Sequence, residues 1–102
     1  MDADKDIEFS KQQNGSGFVA NCHGKQVGEI NVFFIGVDRM VIESTYINEE
    51  YKNTNLCFDL VSRVVAFARD THRKIISMCP TAQLIFNGHP EFDDVRFIRM
   101  EV

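Results

Sequence analysis

Hydrophobic residues in the first half of the chain alternate with polar ones over short stretches, as they do in half-buried β-strands. Turn-forming clusters separate these stretches: QQNGSG at 12–17, HGK at 23–25 and GVD at 36–38. Strands joined by such short turns pair antiparallel, so the pattern predicts a β-meander. The predicted strands cover residues 7–10, 18–22, 27–35 and 40–47.

The period changes to that of a helix from residue 55 onward. Leu56, Leu60 and Val64 follow one another at intervals of four, while charged residues mostly occupy the opposite face. This spacing predicts an amphipathic helix over residues 55–72 that packs on the sheet. Three shorter elements are predicted after it: a buried strand at 75–79, a helix at 82–87 and an edge strand at 95–102.

The order of these elements predicts an α+β fold, that is, a mixed α/β architecture in which most strands are antiparallel. The strand before the long helix and the strand after it are joined by a crossover, so they should run parallel with a right-handed connection. Where two such strands separate, a ligand can lie against the N-terminus of the helix. We therefore expect one domain over residues 1–102, with a ligand site just before residue 55.

Composition argues against several classes of protein. The 102 residues carry a net charge of −4, which gives no basic surface for nucleic acid or anionic membranes. No apolar run approaches the ~20 residues of a membrane span, and the acidic start MDADKDIEF is unlike a signal peptide. The odd count of three cysteines, without metal-ligand spacing, favours reduced thiols. We expect a cytoplasmic monomer or weak dimer without nucleic-acid, membrane or metal partners.

The junction between the fourth strand and the long helix concentrates polar residues at a helix N-terminus. Lys52 is followed there by Asn53, Thr54 and Asn55. Asparagine tolerates positive φ, so this turn can direct several backbone N–H groups to one point, with the helix dipole behind them. Phosphate fits such a point. The alternative is an ordinary helix cap by Thr54 or Asn55.

Three segments together resemble a known family: residues 45–60, IISMCP at 75–80 and FNGHPEF at 86–92. They are similar to the small, minimal members of the GNAT superfamily of acetyl-CoA-dependent N-acetyltransferases. The length and the order of the elements also match, so the resemblance covers residues 7–95. The Cys-Pro turn and the His-Pro-Glu-Phe tail are its most specific parts.

The family's pyrophosphate loop, Arg-Gly-x-Gly-x-Ala, falls on KNTNLC at 52–57, where asparagines replace both glycines and lysine replaces arginine. The resemblance implies that acetyl-CoA is the co-substrate, without a metal, and that an amine is the acceptor. It also implies that the pantetheine arm pairs with one strand edge and that the pyrophosphate rests on loop amides. The cofactor-binding residues it implies are Thr45, Tyr46, Ile47, Lys52, Asn53, Thr54, Asn55, Leu56, Cys57, Phe86 and Asn87.

Cys79 is the first residue to which the resemblance gives a catalytic role. It falls at the family's thiol position, where it accepts the acetyl group transiently or donates a proton to the leaving thiolate. The alternative is a buried cysteine that acts only as a small hydrophobe. His89 falls in the family's tail, where it either lines the cofactor mouth or serves only as a turn residue.

Glu43 is the first candidate for the catalytic base, because it lies on the strand that faces the site. Alternation along that strand predicts that Glu43 and Thr45 share one face and that Ile42 lies on the other. Glu49 and Glu50 are loop alternatives for the base. Each of these glutamates can also be a solvated surface residue.

Three functions are compatible with these observations. The leading hypothesis is an N-acetyltransferase that moves an acetyl group from acetyl-CoA to an amine acceptor, which the sequence does not identify. The second is a CoA-binding domain with little or no turnover, motivated by Asn53, Asn55 and by Ser44, which stands where the family has a strand histidine. The third is a non-catalytic α+β interaction module.

Overall fold

In the part of the chain that the structure describes, five strands form one sheet in the same order as they occur along the chain. The computed structural model describes residues 6–13 and 15–97. The first four strands pair antiparallel as a meander, and the last two pair parallel. The strands are β1 (Ile7–Lys11), β2 (Phe18–Cys22), β3 (Lys25–Ile35), β4 (Arg39–Ile47) and β5 (Lys74–Ser77).

Two helices among the described residues complete the α+β fold, and the predicted fold class is confirmed. The long helix α1 (Leu56–Thr71) connects the parallel strands β4 and β5, as the crossover requires. The short helix α2 (Pro80–Gly88) follows β5. Single 3-10 turns at Glu49–Tyr51 and Pro90–Phe92 precede α1 and follow α2.

The core lies between α1 and one face of the sheet. The apolar stripe of α1, including Leu60 and Val64, is fully buried against sheet residues such as Ile30. Gly28 of β3 allows the close approach of the helix: a Cβ atom there would lie 3.1 Å from Leu56 Cδ2 and 3.3 Å from the Tyr46 carbonyl oxygen. This close packing fixes the N-terminus of α1 beside the end of β4.

The two parallel strands pair only over four residues, from Arg39↔Lys74 to Ile42↔Ser77. The last hydrogen bond between them runs from the Met78 amide to the Ile42 carbonyl, at 3.0 Å. Beyond that bond β4 continues to Ile47, whereas the segment after β5 turns away into α2. The predicted separation of the parallel strands is therefore present, and it leaves one backbone edge of β4 open.

A β-bulge interrupts β4 beside this separation. Asn31 pairs with Ser44 and Val32 pairs with Ile42, so Glu43 is an extra residue in the strand. Because Ile30 pairs with Thr45, the side chains of Ile42 and Thr45 share one face. The predicted alternation, which placed these two residues on opposite faces, is wrong at the bulge.

Several element boundaries differ from the predicted ones. Helix α2 begins at Pro80 rather than at residue 82, because a proline at the first helical position needs no hydrogen-bond partner for its nitrogen. Strand β5 therefore ends at Ser77, before Cys79. Of the predicted last strand, residues 95–97 form only one isolated bridge, Ile75↔Arg96, and the remainder lies outside the described residues.

We expect Gly28→Val to lower the free energy of unfolding by about 1–3 kcal/mol, because the added side chain overlaps α1 and the β4 backbone. The measurement is urea denaturation followed by circular dichroism. Gly88→Ala is a control for the loss of a glycine: a Cβ atom at this exposed end of α2 meets nothing within 4 Å, so stability should not fall. Equal stability of both variants would contradict close packing at Gly28.

Candidate active site

A cleft of about 420 Å³, here called the edge cleft, lies where β4 and β5 separate. Its volume is in the range of small-molecule sites in proteins. The open edge of β4, the turn before α1, and the first turns of both helices form its walls. The lining residues are Thr45, Tyr46, Ile47, Tyr51, Lys52, Thr54, Cys57 and Thr81.

The turn between β4 and α1 is stabilised by hydrogen bonds within the turn. The Thr54 hydroxyl donates to the Tyr51 carbonyl at 2.6 Å and accepts from the Leu56 amide at 3.3 Å. Thr54 therefore caps α1, whereas the side chain of Asn55 makes no capping bond. Asn55 has a φ of −86°, and the positive-φ non-glycine residues of the described chain are His23 and His72. The asparagines of this turn tolerate positive φ, but neither Asn53 nor Asn55 adopts it.

The first turn of α1 still offers backbone donors to a ligand. The Leu56 amide is capped, but the amides of Cys57 and Phe58 belong to the first turn, which has no partner inside a helix. Lys52 lines the cleft beside them, with its Nζ 3.8 Å from Glu49 Oε2 and most of its side chain exposed. Helix amides and one exposed cation form a suitable environment for an anion.

Cys79 lies at the N-cap position of α2, almost fully buried. Its Sγ is 3.4 Å from Thr45 Oγ1, so β4 and the start of α2 meet at this thiol. Burial by itself raises the pKa of Cys79, but the Thr45 hydroxyl and the backbone amides of Ala82, Thr81 and Thr45 act against it, and the net pKa is lowered. The Cys79 thiol is therefore a stronger acid than an ordinary cysteine thiol.

Cys57 is the second thiol at the edge cleft, and its environment raises its pKa, opposite to the effect on Cys79. Burial and the nearby charge of Cys79 raise the pKa of Cys57, although the Thr45 hydroxyl lowers it in part. The thiols of Cys57 and Cys79 thus share one hydroxyl neighbour but differ in acidity. Of the two thiols, Cys79 is therefore the stronger acid.

A family model described as GCN5-related N-acetyl-transferase matches residues 17–95. The chain belongs to the GCN5-related N-acetyltransferase family. The match spans strands β2 to β5, both helices and all the residues of the edge cleft. The family expected from the sequence is thereby confirmed. None of the curated proteins is significantly similar to the chain.

Solved structures show the same fold. A GCN5-like protein from Staphylococcus aureus is 22% identical, with a TM-score of 0.75 over 94% of this chain and 93% of that one. A ribosomal-protein-alanine N-acetyltransferase from Brucella melitensis biovar Abortus 2308 is 11% identical, with a TM-score of 0.61 over 89% and 67%. A GNAT family acetyltransferase from Elizabethkingia anophelis, with acetyl-CoA bound, is 14% identical, with a TM-score of 0.59 over 86% and 55%.

Six of the predicted cofactor-binding residues of this acetyltransferase line the edge cleft, and five do not. Leu56 and Phe86 are buried in the core. Asn87 is exposed, and its Oδ1 accepts from Arg96 Nη2 at 2.8 Å, outside the cleft. Asn53 and Asn55 are exposed beside the cleft. The six that line it are Thr45, Tyr46, Ile47, Lys52, Thr54 and Cys57.

The predicted acid–base groups lie at different distances from the cleft lining. Cys79 contacts the lining residue Thr45. Glu43 is the exposed bulge residue at the point where the strands separate. Glu49 and Glu50 are exposed on the 3-10 turn, where they lie near Lys52 and Lys25 respectively.

His89 does not line the edge cleft. Its ring packs against Phe58, at 4.6 Å between centroids, and its Nδ1 lies 3.0 Å from Glu91 Oε2. In residues 6–13 and 15–97, no group of three His, Cys, Asp or Glu side chains is arranged to hold a metal ion. Neither of the described helices is long and apolar enough to cross a membrane.

Two lining residues, Tyr51 and Thr81, were not predicted from the sequence. Thr81 was missed because the helix was expected to begin one residue later, which left Thr81 in a loop. A proline after Cys79 was the available signal, since proline commonly opens a helix. Tyr51 reaches the cleft through the 3-10 turn, which no hydrophobic period reveals.

We expect the Cys79 thiol to titrate at a lower pH than an ordinary thiol, and Thr45→Val to move that midpoint upward. The loss of the Thr45 hydroxyl removes a donor that lowers the pKa, while burial, which raises it, remains. The measurement is the thiolate absorbance at 240 nm, with Cys79→Ala subtracted. Thr71→Val is the control, because Thr71 Oγ1 bonds the Phe67 carbonyl at the far end of α1. An unchanged midpoint in Thr45→Val would contradict this account of the Cys79 pKa.

Proposed function

We propose that this protein transfers an acetyl group from acetyl-CoA to an amine acceptor and that the edge cleft binds acetyl-CoA. The separation of β4 and β5 after Ile42 and Ser77 is the observation that carries the proposal. It leaves the backbone of Thr45–Ile47 without a strand partner on one side, directly beside the N-terminus of α1. An extended polar chain such as pantetheine can add to that edge in the way that a peptide strand adds to a sheet.

The residues of the cleft fit the parts of acetyl-CoA, which supplies the acetyl thioester when bound. The free amides of Cys57 and Phe58 and the side chain of Lys52 would hold its pyrophosphate. The backbone edge of Thr45–Ile47 would hold its pantetheine arm. The acetyl-CoA bound to the Elizabethkingia anophelis protein, which has this fold, supports the fit.

Cys79 is the proposed proton donor. The amine nitrogen forms a bond to the acetyl carbonyl carbon, and the carbon–sulfur bond to CoA breaks. The departing sulfur takes the proton of Cys79 Sγ, whose lowered pKa makes it a ready donor. The resulting thiolate keeps the Thr45 hydroxyl and the α2 amides as partners until it regains a proton. The second role considered for Cys79, transient acceptance of the acetyl group, would leave a covalent adduct on the protein.

Glu43 is the proposed base that keeps the acceptor amine neutral. It lies at the bulge where the two strands separate, and it is exposed to solvent. No hydrogen bond or ion pair to another described residue occupies its carboxylate. The proton of the attacking amine therefore passes to Glu43 and from there to water.

We further propose that one domain over residues 1–102 carries the activity and that it works in the cytoplasm, where thiols stay reduced.

Binding without turnover is the second candidate function. Asn53 and Asn55 stand where the family's loop has glycines, and their side chains take space beside the bound phosphates. A domain of this kind would bind acetyl-CoA at the edge cleft but release no CoA. Binding and turnover therefore need separate experiments.

We expect CoA to shift the backbone NMR signals of Thr45–Ile47, Cys57 and Thr81 and to raise the thermal stability. A ligand that binds only the native state stabilises it by about 2.7 kcal/mol at one hundred times its Kd. Signals of β1, on the far side of the sheet, serve as the internal control. Unchanged spectra at millimolar CoA would overturn both the transferase and the binding-only function.

We expect Cys79→Ala to lower the rate of CoA release from acetyl-CoA in the presence of an amine by 10²- to 10⁴-fold, because it removes the proton donor. The Kd for CoA should change much less than the rate. Thr71→Val is the control, because Thr71 Oγ1 bonds the Phe67 carbonyl at the far end of α1. Intact-protein mass spectrometry separates the two roles of Cys79, since an acetyl adduct that is absent in Cys79→Ala would mean transient acylation. Equal rates in wild type and Cys79→Ala would remove Cys79 from the mechanism.

A further inference from the structure

A second cleft, here called the outer cleft, lies on the face of the sheet opposite to α1, with a volume of about 500 Å³. Gly28 faces α1, so Glu29 and Asn31, at alternate positions of β3, face the other way. The outer cleft crosses β1, β2 and β3. The polar side chains that line it include Ser10, Gln12, Asn21, Gln26, Glu29 and Asn31.

Glu29 supplies the negative charge of the outer cleft. The other charged residue that lines it is Lys11, but the Lys11 ammonium group lies 4.6 Å from the ring centroid of Phe67, a residue of α1. The Lys11 charge is therefore on the opposite face of the sheet. Among the described residues, Glu29 has no ion-pair partner. The cleft consequently combines one unneutralised carboxylate with amide and hydroxyl groups.

The Glu29 carboxylate is held in place by hydrogen bonds. Its Oε1 accepts from Gln26 Nε2 at 2.8 Å, and its Oε2 accepts from Asn31 Nδ2 at 2.9 Å. Asn31 is itself fixed, because its Oδ1 accepts from Gln12 Nε2 at 2.7 Å. A carboxylate has about four acceptor positions, so two remain for a ligand. An ammonium ion can donate charge-assisted hydrogen bonds to these two positions.

The outer cleft reaches the edge cleft across a single strand. Ser10, Val19, Glu29 and Tyr46 are cross-strand partners in one row from β1 to β4, and Tyr46 lines the edge cleft. Neighbouring strands are about 4.8 Å apart. A ligand held at Glu29 therefore reaches the open edge of β4 over about 5–10 Å, one to two strand spacings.

We propose that the outer cleft binds the acceptor and that the acceptor is a small molecule with at least two amino groups. One amino group, as an ammonium ion, is held by Glu29, and the other reaches the acetyl group at the edge of β4. The amide and hydroxyl side chains of the cleft bind the remaining polar atoms. This inference rests on the proposed acetyl transfer, and it adds the class of acceptor.

NMR titration of the wild-type protein tests the site with three probes: spermidine, neamine and butylamine. We expect spermidine or neamine to shift the signals of Asn21, Gln26 and Asn31. Butylamine has one amino group, so its Kd should be at least about tenfold higher. The tighter of the first two distinguishes an aliphatic polyamine from an amino sugar. The proposal would be overturned if neither spermidine nor neamine shifted the signals of the outer-cleft residues.

A pair of charge-matched variants tests the role of Glu29. Glu29→Gln and Asp70→Asn each remove one negative charge, but Asp70 is an exposed residue near the C-terminus of α1, outside the outer cleft. We expect Glu29→Gln to raise the Kd for the bound diamine about tenfold or more, and Asp70→Asn to leave it within twofold. An equal rise of the diamine Kd in both variants would mean that net charge alone attracts the diamine, and it would overturn the proposal. Native spectra of both variants verify folding.

Titration with CoA separates this inference from the proposed function. We expect both variants to keep the wild-type Kd for CoA, because neither residue lines the edge cleft. CoA binding without diamine binding would overturn the acceptor site at the outer cleft and leave the proposed acetyl transfer standing. Diamine binding at Glu29 without CoA binding would overturn acetyl transfer, and with it the acceptor role, but would leave an amine-binding site. In turnover assays, Glu29→Gln should raise the KM for the diamine and change kcat less.

Discussion

The limited pairing of β4 and β5 is the constraint on which the rest of the molecule depends. The strands exchange hydrogen bonds only until Met78 reaches Ile42, because Pro80 has no N–H to continue the ladder and instead opens α2. The bulge at Glu43 bends β4 at the same level. A strand edge with unpaired backbone groups is thereby created inside the fold, where a ligand rather than another strand can satisfy it.

Two helix N-termini converge on this open edge, and each is placed by a different part of the packing. The α1 terminus is placed by the close contact of Leu56 with β3, which Gly28 permits because it has no side chain. The α2 terminus is placed by the short connection from Ser77 to Pro80. Helix N-termini favour negative charge, so the same geometry suits an anionic ligand group at one end of the cleft and lowers the pKa of Cys79 at the other.

Local periodicity predicted the strands, the amphipathic helix and the parallel pair well, because backbone geometry fixes which positions of an element face the core. It was less successful within the site. The bulge at Glu43 breaks the alternation on which the expected faces of Ile42 and Thr45 depended. The sequence left open whether Thr54 or Asn55 caps α1, and in the structure Thr54 does so.

The sequence by itself determined the order and type of the elements and the family, since these depend on local hydrophobic patterns and on short motifs such as Cys-Pro. Only the tertiary structure decided which groups meet. Thr45 and Cys79 are 34 residues apart, and their contact depends on strand register and on the start of α2. The row from Ser10 to Tyr46 likewise exists only through the pairing of four strands. Contacts between distant residues depend on register and packing, which no local pattern encodes.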